Sequence, residues 1–142
     1  MPDYSYCVSL SISHPTVDTN EISEKLNVTP SIVRNIGEPR LSYSGKLLGG
    51  VNKESFWRLG LHDEKRLHSS QVLMEDFIAK QNERFQSNKE YFEELYRSGG
   101  YIEYFIGWFS EGSINMSVRF EPDLLKSTAE LYISIGLDAY PE

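Results

Sequence analysis

Residues 4–13 read YSYCVSLSIS, and this stretch alternates strictly between large apolar side chains and small ones. A β-strand projects successive side chains to opposite faces, so a period of two places all the large residues on one face. The serines and Cys7 then lie on the other face. The stretch therefore predicts a strand with one buried face, which needs a layer of other elements to cover it.

Residues 101–110, YIEYFIGWFS, predict a second strand because they are rich in aromatic and β-branched residues. Here both faces carry large side chains, and Tyr101, Phe105 and Phe109 share one of them. A central strand covered on both sides accounts for this pattern. If helices cover only the other side, these three aromatic residues form an exposed patch and hence an interaction surface.

The remaining patterns change between helix and strand. Residues 18–27 predict a short helix with Asp18 as its N-cap and Glu21 completing a capping box. Residues 28–53 are broken by glycines and prolines and predict an irregular segment. Further strands are predicted over residues 54–61, 114–120 and 132–140, and further helices over residues 69–85, over residues 87–96 with Ser87 as cap, and from Pro122 onward.

These elements predict a single α+β domain over residues 1–142. We expect a mostly antiparallel sheet of about five strands with helices packed on it. The closing order of strand, strand, helix and strand predicts ferredoxin-like elements in the C-terminal half.

The composition limits the partners that the protein can have. The chain holds 14 Lys and Arg against 21 Asp and Glu, a formal net charge of −7. This balance argues against nucleic acid as a partner, because phosphate binding requires clustered cations. The acidic surplus lies in residues 72–142, with thirteen acids and six cations, whereas residues 34–66 hold seven cations and four acids. No apolar run is long enough to span a membrane and no signal peptide is visible, so the sequence predicts a cytoplasmic protein.

The residue types that carry catalysis or metal binding do not form recognised motifs. His62 and His68 are six residues apart, whereas two metal ligands on one helical face need a spacing of three or four. Cys7 is the single cysteine, which excludes an internal disulfide, and it lies within a strand without a base beside it. The sequence therefore predicts no metal site, no cofactor and no catalytic residue, and it specifies no oligomeric state.

Several short motifs follow one another in a fixed order. They are EISEKLNVTPS at residues 21–31, GEPR at residues 37–40, the strand tryptophan Trp57, and a closing helix and strand that end in Asp-x-Tyr at residues 138–140. This ordered set resembles the bacterial domain-of-unknown-function family 4279 over nearly the whole chain. The resemblance implies a small single-domain bacterial protein, and it supplies no activity, ligand or catalytic residue.

The GEPR motif marks a first candidate site. Its glycine permits a bend and its proline stiffens the loop, so Glu38 and Arg40 project from it. In one interpretation, Arg34 and Arg58 join them around Trp57, since arginines beside an indole suit the capture of a carboxylate or phosphate. In the other interpretation, Glu38 and Arg40 form a structural pair that pins the loop, and Trp57 is a core residue.

Glu90, Glu93 and Glu94 mark a second candidate site, together with further acids between residues 75 and 83. They form either a solvated helix face or a docking surface for a basic protein, because complementary charge speeds association. The sequence favours a non-enzymatic interaction module, and an immunity protein against a basic toxin domain is one form suggested by analogy. The alternative is a protein or enzyme that binds a small anionic ligand around residues 34–58.

Overall fold

The alternating stretch that opens the chain forms the central strand β1 (Ser5–His14) in the computed structural model, which describes residues 3–141. The other elements follow in chain order as α1 (Thr19–Leu26), β2 (Ile32–Arg34), β3 (Pro39–Leu41), β4 (Leu47–Val51), β5 (Ser55–Gly60), β6 (Leu67–His68), α2 (Met74–Phe85), α3 (Lys89–Arg97), β7 (Tyr101–Phe109), α4 (Pro122–Glu130) and β8 (Ile133–Tyr140).

The main sheet has the strand order β2-β5-β1-β7-β8, and β6 pairs with one end of β1. The strand pairs of this sheet are antiparallel apart from β7 and β8, which run parallel and are connected through α4. β3 and β4 form a separate hairpin. The predicted α+β class is confirmed, and the likeness of the C-terminal half to a ferredoxin-like arrangement stays a prediction.

The hydrophobic core lies between the helices and the face of the sheet that carries the large residues of β1. Apolar residues of α1, α2 and α3 join this face in one buried cluster. Trp57 and Tyr104 are among its fully buried side chains, and both use their polar atoms inside the protein. Burial of these large rings supplies much of the hydrophobic stabilisation, and their hydrogen bonds avoid the penalty of an unpaired buried donor.

The predicted strand over residues 114–120 is wrong, because residues 110–121 run as an irregular segment between β7 and α4. Such a strand would have to pair with β7 as the second arm of a hairpin. Both edges of β7 are already occupied, one by β1 and the other by β8. Met116, Val118 and Phe120 instead pack against the rim of the core.

The helix starts agree with the sequence at one end of the chain and differ in the middle. Asp18 caps α1 as predicted, and its side chain accepts a hydrogen bond from the backbone N–H of Asn20 at 2.9 Å. Ser87 does not cap α3, because it lies in a 3₁₀ turn and the helix begins at Lys89.

The irregular segment over residues 28–53 also contains β2, β3 and β4. Within residues 3–141, no helix is both long and apolar enough to cross a lipid bilayer.

Candidate functional site

The face of the sheet opposite the helices, here called the open face, carries short side chains along β1 and larger ones on both sides of it. It is formed by Cys7, Ser9, Ser11, Ser13, Phe56, Arg58, Tyr101, Glu103, Phe105, Phe109, Asp138 and Tyr140. Tyr101 and Tyr140 are 51% and 44% exposed, so no helix of the described chain covers this side. The aromatic residues predicted as an interface, Tyr101, Phe105 and Phe109, therefore lie on the uncovered side, and their role as an interface stays a prediction.

Three arginines lie over aromatic rings on this open face, and the guanidinium carbon of one of them, Arg66, is 3.6 Å from the ring centre of Phe109. The guanidinium carbon of Arg34 is 5.5 Å from the ring centre of Phe56, and that of Arg58 is 5.2 Å from Phe56 and 5.1 Å from Phe105. Nε of Arg58 also donates a hydrogen bond to Oγ of Ser11 at 2.9 Å. These contacts hold the Arg58 guanidinium group in place. The hydrogen bond to Ser11 uses Nε, so neither Nη group takes part in it.

Trp57 lies on the other face of the sheet from Arg58, since the two residues are neighbours in β5. Its side chain is fully buried in the core, and its Nε1–H donates to Oγ of Ser23 in α1 at 3.0 Å. The structure therefore places Trp57 as a core residue and separates it from the arginines. A ligand held by the remaining members of the set would have to bind without the indole.

Arg40 and Glu38 project from the β3–β4 hairpin region and are both exposed. Nη1 of Arg40 lies 3.4 Å from the carbonyl oxygen of Gly49, across the hairpin. Arg40 and Arg34 line one groove of about 420 Å³ beside the hairpin, together with Lys53. This groove brings three cations together with one acid, Glu54, a net positive charge that suits a small anion. Anionic-ligand binding at residues 34–58 remains a prediction for this part of the molecule.

The three acids predicted as a docking surface lie on α3 and differ in their surroundings. Glu93 accepts hydrogen bonds from Arg97 Nε and from the Tyr132 hydroxyl, both at 3.1 Å. These bonds, the one from Arg97 above all, hold the pKa of Glu93 below its usual range. Glu90 and Glu94 are exposed. The negative charge of Glu93 is therefore partly used within the protein.

A larger acidic feature lies between α2 and α4, where a groove of about 640 Å³ opens beside the segment that joins β7 to α4. The carboxylates that line this groove, here called the acidic groove, are Glu75, Asp76, Glu83, Glu121 and Asp123. Ala79 and Leu124 add apolar surface, and Arg119 is the one cation among the described lining residues. The arrangement combines an apolar wall with a carboxylate rim, which suits a cationic ligand with an apolar stem.

Sequence reasoning noted the acids of α2 but missed Glu121 and Asp123. Acids are favoured near helix N-termini because the helix dipole is positive there, and both α2 and α4 have acids in the first turn. That pattern was visible in the sequence. The packing of α2 against α4, which gathers the two sets of acids around one groove, was not.

Asn82 fixes the two helices that form the acidic groove. Its Nδ2 donates to Oγ of Ser127 at 2.9 Å and to Oγ1 of Thr128 at 2.8 Å, and its Oδ1 accepts from the Tyr104 hydroxyl at 2.9 Å. Burial raises the pKa of Tyr104, so this hydroxyl keeps its proton and remains a donor. The groove is thus held open by a network that joins α2, α4 and β7.

Both ring nitrogens of His62 make hydrogen bonds with backbone groups. Nε2 of His62 accepts from the backbone N–H of Val8 at 3.0 Å, and its Nδ1 lies 2.8 Å from the carbonyl oxygen of Glu64, to which it donates in this tautomer. Residues 3–141 contain no group of three or more His, Cys, Asp or Glu arranged to hold a metal ion.

A comparison with known protein families finds one that covers nearly the whole chain. The model of a protein family described as a domain of unknown function (DUF4279) matches residues 3–142. No curated protein and no solved structure matches the chain. The resemblance expected from the motifs at residues 21–31, 37–40 and 131–140 is therefore confirmed.

Proposed function

This chain belongs to the DUF4279 family of domains of unknown function, and we propose that it is an interaction module that binds a basic protein partner through the acidic groove. In this role it acts in the bacterial cytoplasm and catalyses no reaction. The observation that carries the proposal is the collection of five carboxylates and one arginine among the described residues that line one groove.

Charge supports a basic partner. The helices α2, α3 and α4 lie within residues 72–142, which hold thirteen acids against six cations. A surface of one sign raises the rate at which an oppositely charged partner arrives, and the effect decreases with salt. Arg119 reduces the charge of the groove only in part, and its backbone N–H lies 3.4 Å from Oε2 of Glu75.

Shape supports a segment rather than a metal ion. Leu124 and Ala79 give the groove apolar walls, against which the aliphatic stem of a lysine or arginine can pack. The carboxylates at the rim are then placed to receive the cationic ends. The network around Asn82 holds α2 and α4 in their relative positions before a partner arrives, which lowers the ordering cost of binding.

One form of this function is an immunity protein that neutralises a basic toxin domain, by analogy with other small acidic bacterial proteins. In that case the toxin domain would present a lysine- and arginine-rich segment to the acidic groove.

A labelled peptide of alternating lysine and leucine residues can serve as a probe, with affinity measured by fluorescence anisotropy at low and high salt. The variant Glu75→Gln/Asp76→Asn/Glu83→Gln neutralises three carboxylates of the groove. We expect roughly tenfold weaker binding, since each partly exposed ion pair contributes about 0.2–1 kcal/mol.

The matched control is Glu24→Gln/Glu90→Gln/Glu94→Gln, which changes the net charge equally at exposed positions of α1 and α3. We expect it to bind the probe nearly as well as the unmodified protein. Equal loss in both triple variants would show that only net charge matters and would exclude the groove as the binding site. Loss in the control alone would move the docking surface to the exposed acids of α1 and α3.

A second candidate function has its own observation, the meeting of Arg34, Arg40 and Lys53 in the groove beside the hairpin. In this role the protein would bind a small anion such as phosphate or citrate in the groove beside the hairpin. A thermal-shift titration with these two anions tests it, comparing Arg40→Gln with Lys46→Gln, a neutralisation at an exposed hairpin position outside this groove. A shift that Arg40→Gln abolishes and Lys46→Gln leaves intact supports the site, and no shift with either anion contradicts it.

A further inference from the structure

The β3–β4 hairpin is uncovered on both of its faces. All eight residues of its two strands are exposed, and within the described chain it pairs with no strand of the main sheet. Leu41 lies opposite Leu47 and shares a face with it, whereas Leu48, the next residue of β4, points to the other face. Apolar side chains therefore stand in solvent on both sides of the hairpin.

Exposed apolar residues are concentrated in and around this hairpin. Fourteen large apolar residues of the described chain are strongly exposed, and seven of them lie within residues 33–51. Tyr43, in the turn of the hairpin, is 80% exposed, and Leu47 is 75% exposed. Such a cluster is unfavourable in water and marks a surface that another body covers.

The hairpin is also cationic, although the whole chain is acidic. Residues 39–53 contain three cations and no acid, and the nearest acids, Glu38 and Glu54, lie at the base of the hairpin. The cations are Arg40, Lys46 and Lys53. A partner that covers the hairpin should therefore be anionic as well as apolar.

The acidic groove lies at the other side of the molecule and does not cancel this charge. The hairpin follows β2, at one edge of the main sheet, whereas α4 packs beside β8, at the opposite edge. Four strand spacings of about 4.8 Å separate these edges. This distance is more than twice the Debye length of about 8 Å at physiological salt, so the acids around α4 are largely screened from a body that meets the hairpin.

From these features we propose that the hairpin docks on an anionic lipid bilayer, with its turn inserted among the headgroups and the upper acyl chains. Interfacial elements insert by about 5–10 Å, and a strand advances about 3.3 Å per residue. This depth includes Tyr43, Leu41 and Leu47. It leaves Arg40 at the level of the lipid phosphates, and Lys53 lies above them.

A bilayer fits the hairpin better than a protein surface does. A rigid partner seated on one face would leave the apolar side chains of the other face in water, whereas lipid encloses both. Tyr43 and Lys46 each combine an apolar body with a polar end, which suits the boundary between lipid and water. The guanidinium carbon of Arg34 lies 5.4 Å from the ring centre of Tyr43, and this contact orients the ring before docking.

Co-sedimentation with lipid vesicles measures the docking. The protein should pellet with vesicles made of phosphatidylglycerol and phosphatidylcholine in equal parts, and it should stay in solution with phosphatidylcholine alone. Arg40→Gln/Lys46→Gln should weaken binding by roughly 25-fold, because each cation at an anionic surface contributes about fivefold, the equivalent of about 1 kcal/mol.

The matched control for charge is Lys80→Gln/Lys126→Gln, which removes two exposed lysines from α2 and α4. It should bind the anionic vesicles nearly as well as the unmodified protein. Equal loss in the two charge variants, or an unmodified protein that does not pellet with anionic vesicles, would overturn the proposal.

A second pair of variants tests the apolar contact. Leu47→Ser/Leu48→Ser should weaken binding by about tenfold or more, because it removes apolar surface that lipid would bury. Leu73→Ser/Leu125→Ser changes two leucines that are 44% and 49% exposed outside the hairpin, and it should alter binding little. All four positions are exposed, so we expect the variants to fold, and circular dichroism checks this.

Fluorescence separates insertion from adsorption by charge alone. Tyr43→Trp should add a tryptophan emission that shifts to shorter wavelength with anionic vesicles, because the ring leaves water. Tyr96→Trp, at a position of α3 that is 51% exposed, should add an emission that does not shift. Absence of the shift in Tyr43→Trp would overturn the inserted arrangement.

Two soluble competitors separate a bilayer from other anionic partners. Polyglutamate stands for an acidic protein, and glycerol phosphate stands for a free headgroup. At a charge concentration equal to that of the vesicles, neither should release the bound protein. Release by polyglutamate would make an acidic protein the occupant, release by glycerol phosphate would reduce the contact to phosphate binding, and either result would overturn the proposal.

Discussion

The hydrogen bond between Asn82 and Tyr104 offers a quantitative test of how the acidic groove is held together. Asn82→Ala removes the acceptor of the Tyr104 hydroxyl and both donors to α4. Tyr104 is fully buried, so its hydroxyl cannot turn to water for a new acceptor. An unsatisfied buried donor costs about 1–3 kcal/mol, and the two lost bonds to α4 each contribute about 1 kcal/mol.

We therefore expect Asn82→Ala to lower the free energy of unfolding by about 3–4 kcal/mol. Tyr104→Phe removes the donor instead and leaves Oδ1 of Asn82 without it, at a cost of about 1–2 kcal/mol. In the double variant the phenyl ring has no polar atom left to satisfy. The free energy of unfolding lost in the double variant should therefore be smaller than the sum of the losses in the two single variants by about 1–2 kcal/mol.

Urea denaturation followed by circular dichroism measures these free energies, and equal slopes with denaturant would show that the same surface is exposed in each variant. Ser127→Ala is a milder control, because Asn82 still donates to Thr128. Single losses that add to within about 0.5 kcal/mol in the double variant would refute the network, since independent sites behave in that way.

Three further predictions concern other parts of the fold. Burial lowers the pKa of His14, so the unfolded chain takes up a proton at higher pH than the folded one. The free energy of unfolding should therefore decline as the pH falls below about 6.5. His14→Asn should flatten that decline in urea denaturation series at several pH values. Gly100→Ala should destabilise the protein by about 1–3 kcal/mol in thermal unfolding, because a Cβ there would lie 2.6 Å from a backbone carbonyl oxygen of α3. The control Gly60→Ala meets only an ordinary 3.6 Å contact and should change the stability little. Equal losses of stability in the two variants would contradict this prediction. Trp57→Phe should lower the stability by about 2–4 kcal/mol in the same assay, because it leaves a cavity in the core. Arg40→Ala on the exposed hairpin should change the stability by no more than about 0.5 kcal/mol. A Trp57→Phe variant as stable as the unmodified protein would argue against the buried position.

Where the sequence pattern was local, it predicted the structure well. The alternation from Tyr4 to Ile12 reports a strand with one buried face regardless of what covers it, and β1 has that form. The Asp18 cap also depends only on the residues that follow it. The strand predicted over residues 114–120 failed for a non-local reason, since β8 occupies the edge of β7 that it would have needed.

The candidate sites show the same division. The class of the fold, the excess of acids after residue 72 and the cationic stretch over residues 34–66 could be read from the chain, because they follow from periodicity and composition. The three-dimensional packing was needed to show that Trp57 points into the core while Arg58 points away from it, that helices cover one face of the sheet, and that Arg58 and Glu103 flank Ser11. Strand order and helix packing join residues that are far apart in the chain, and the free energy that selects these contacts comes from burying one shared core rather than from any local motif.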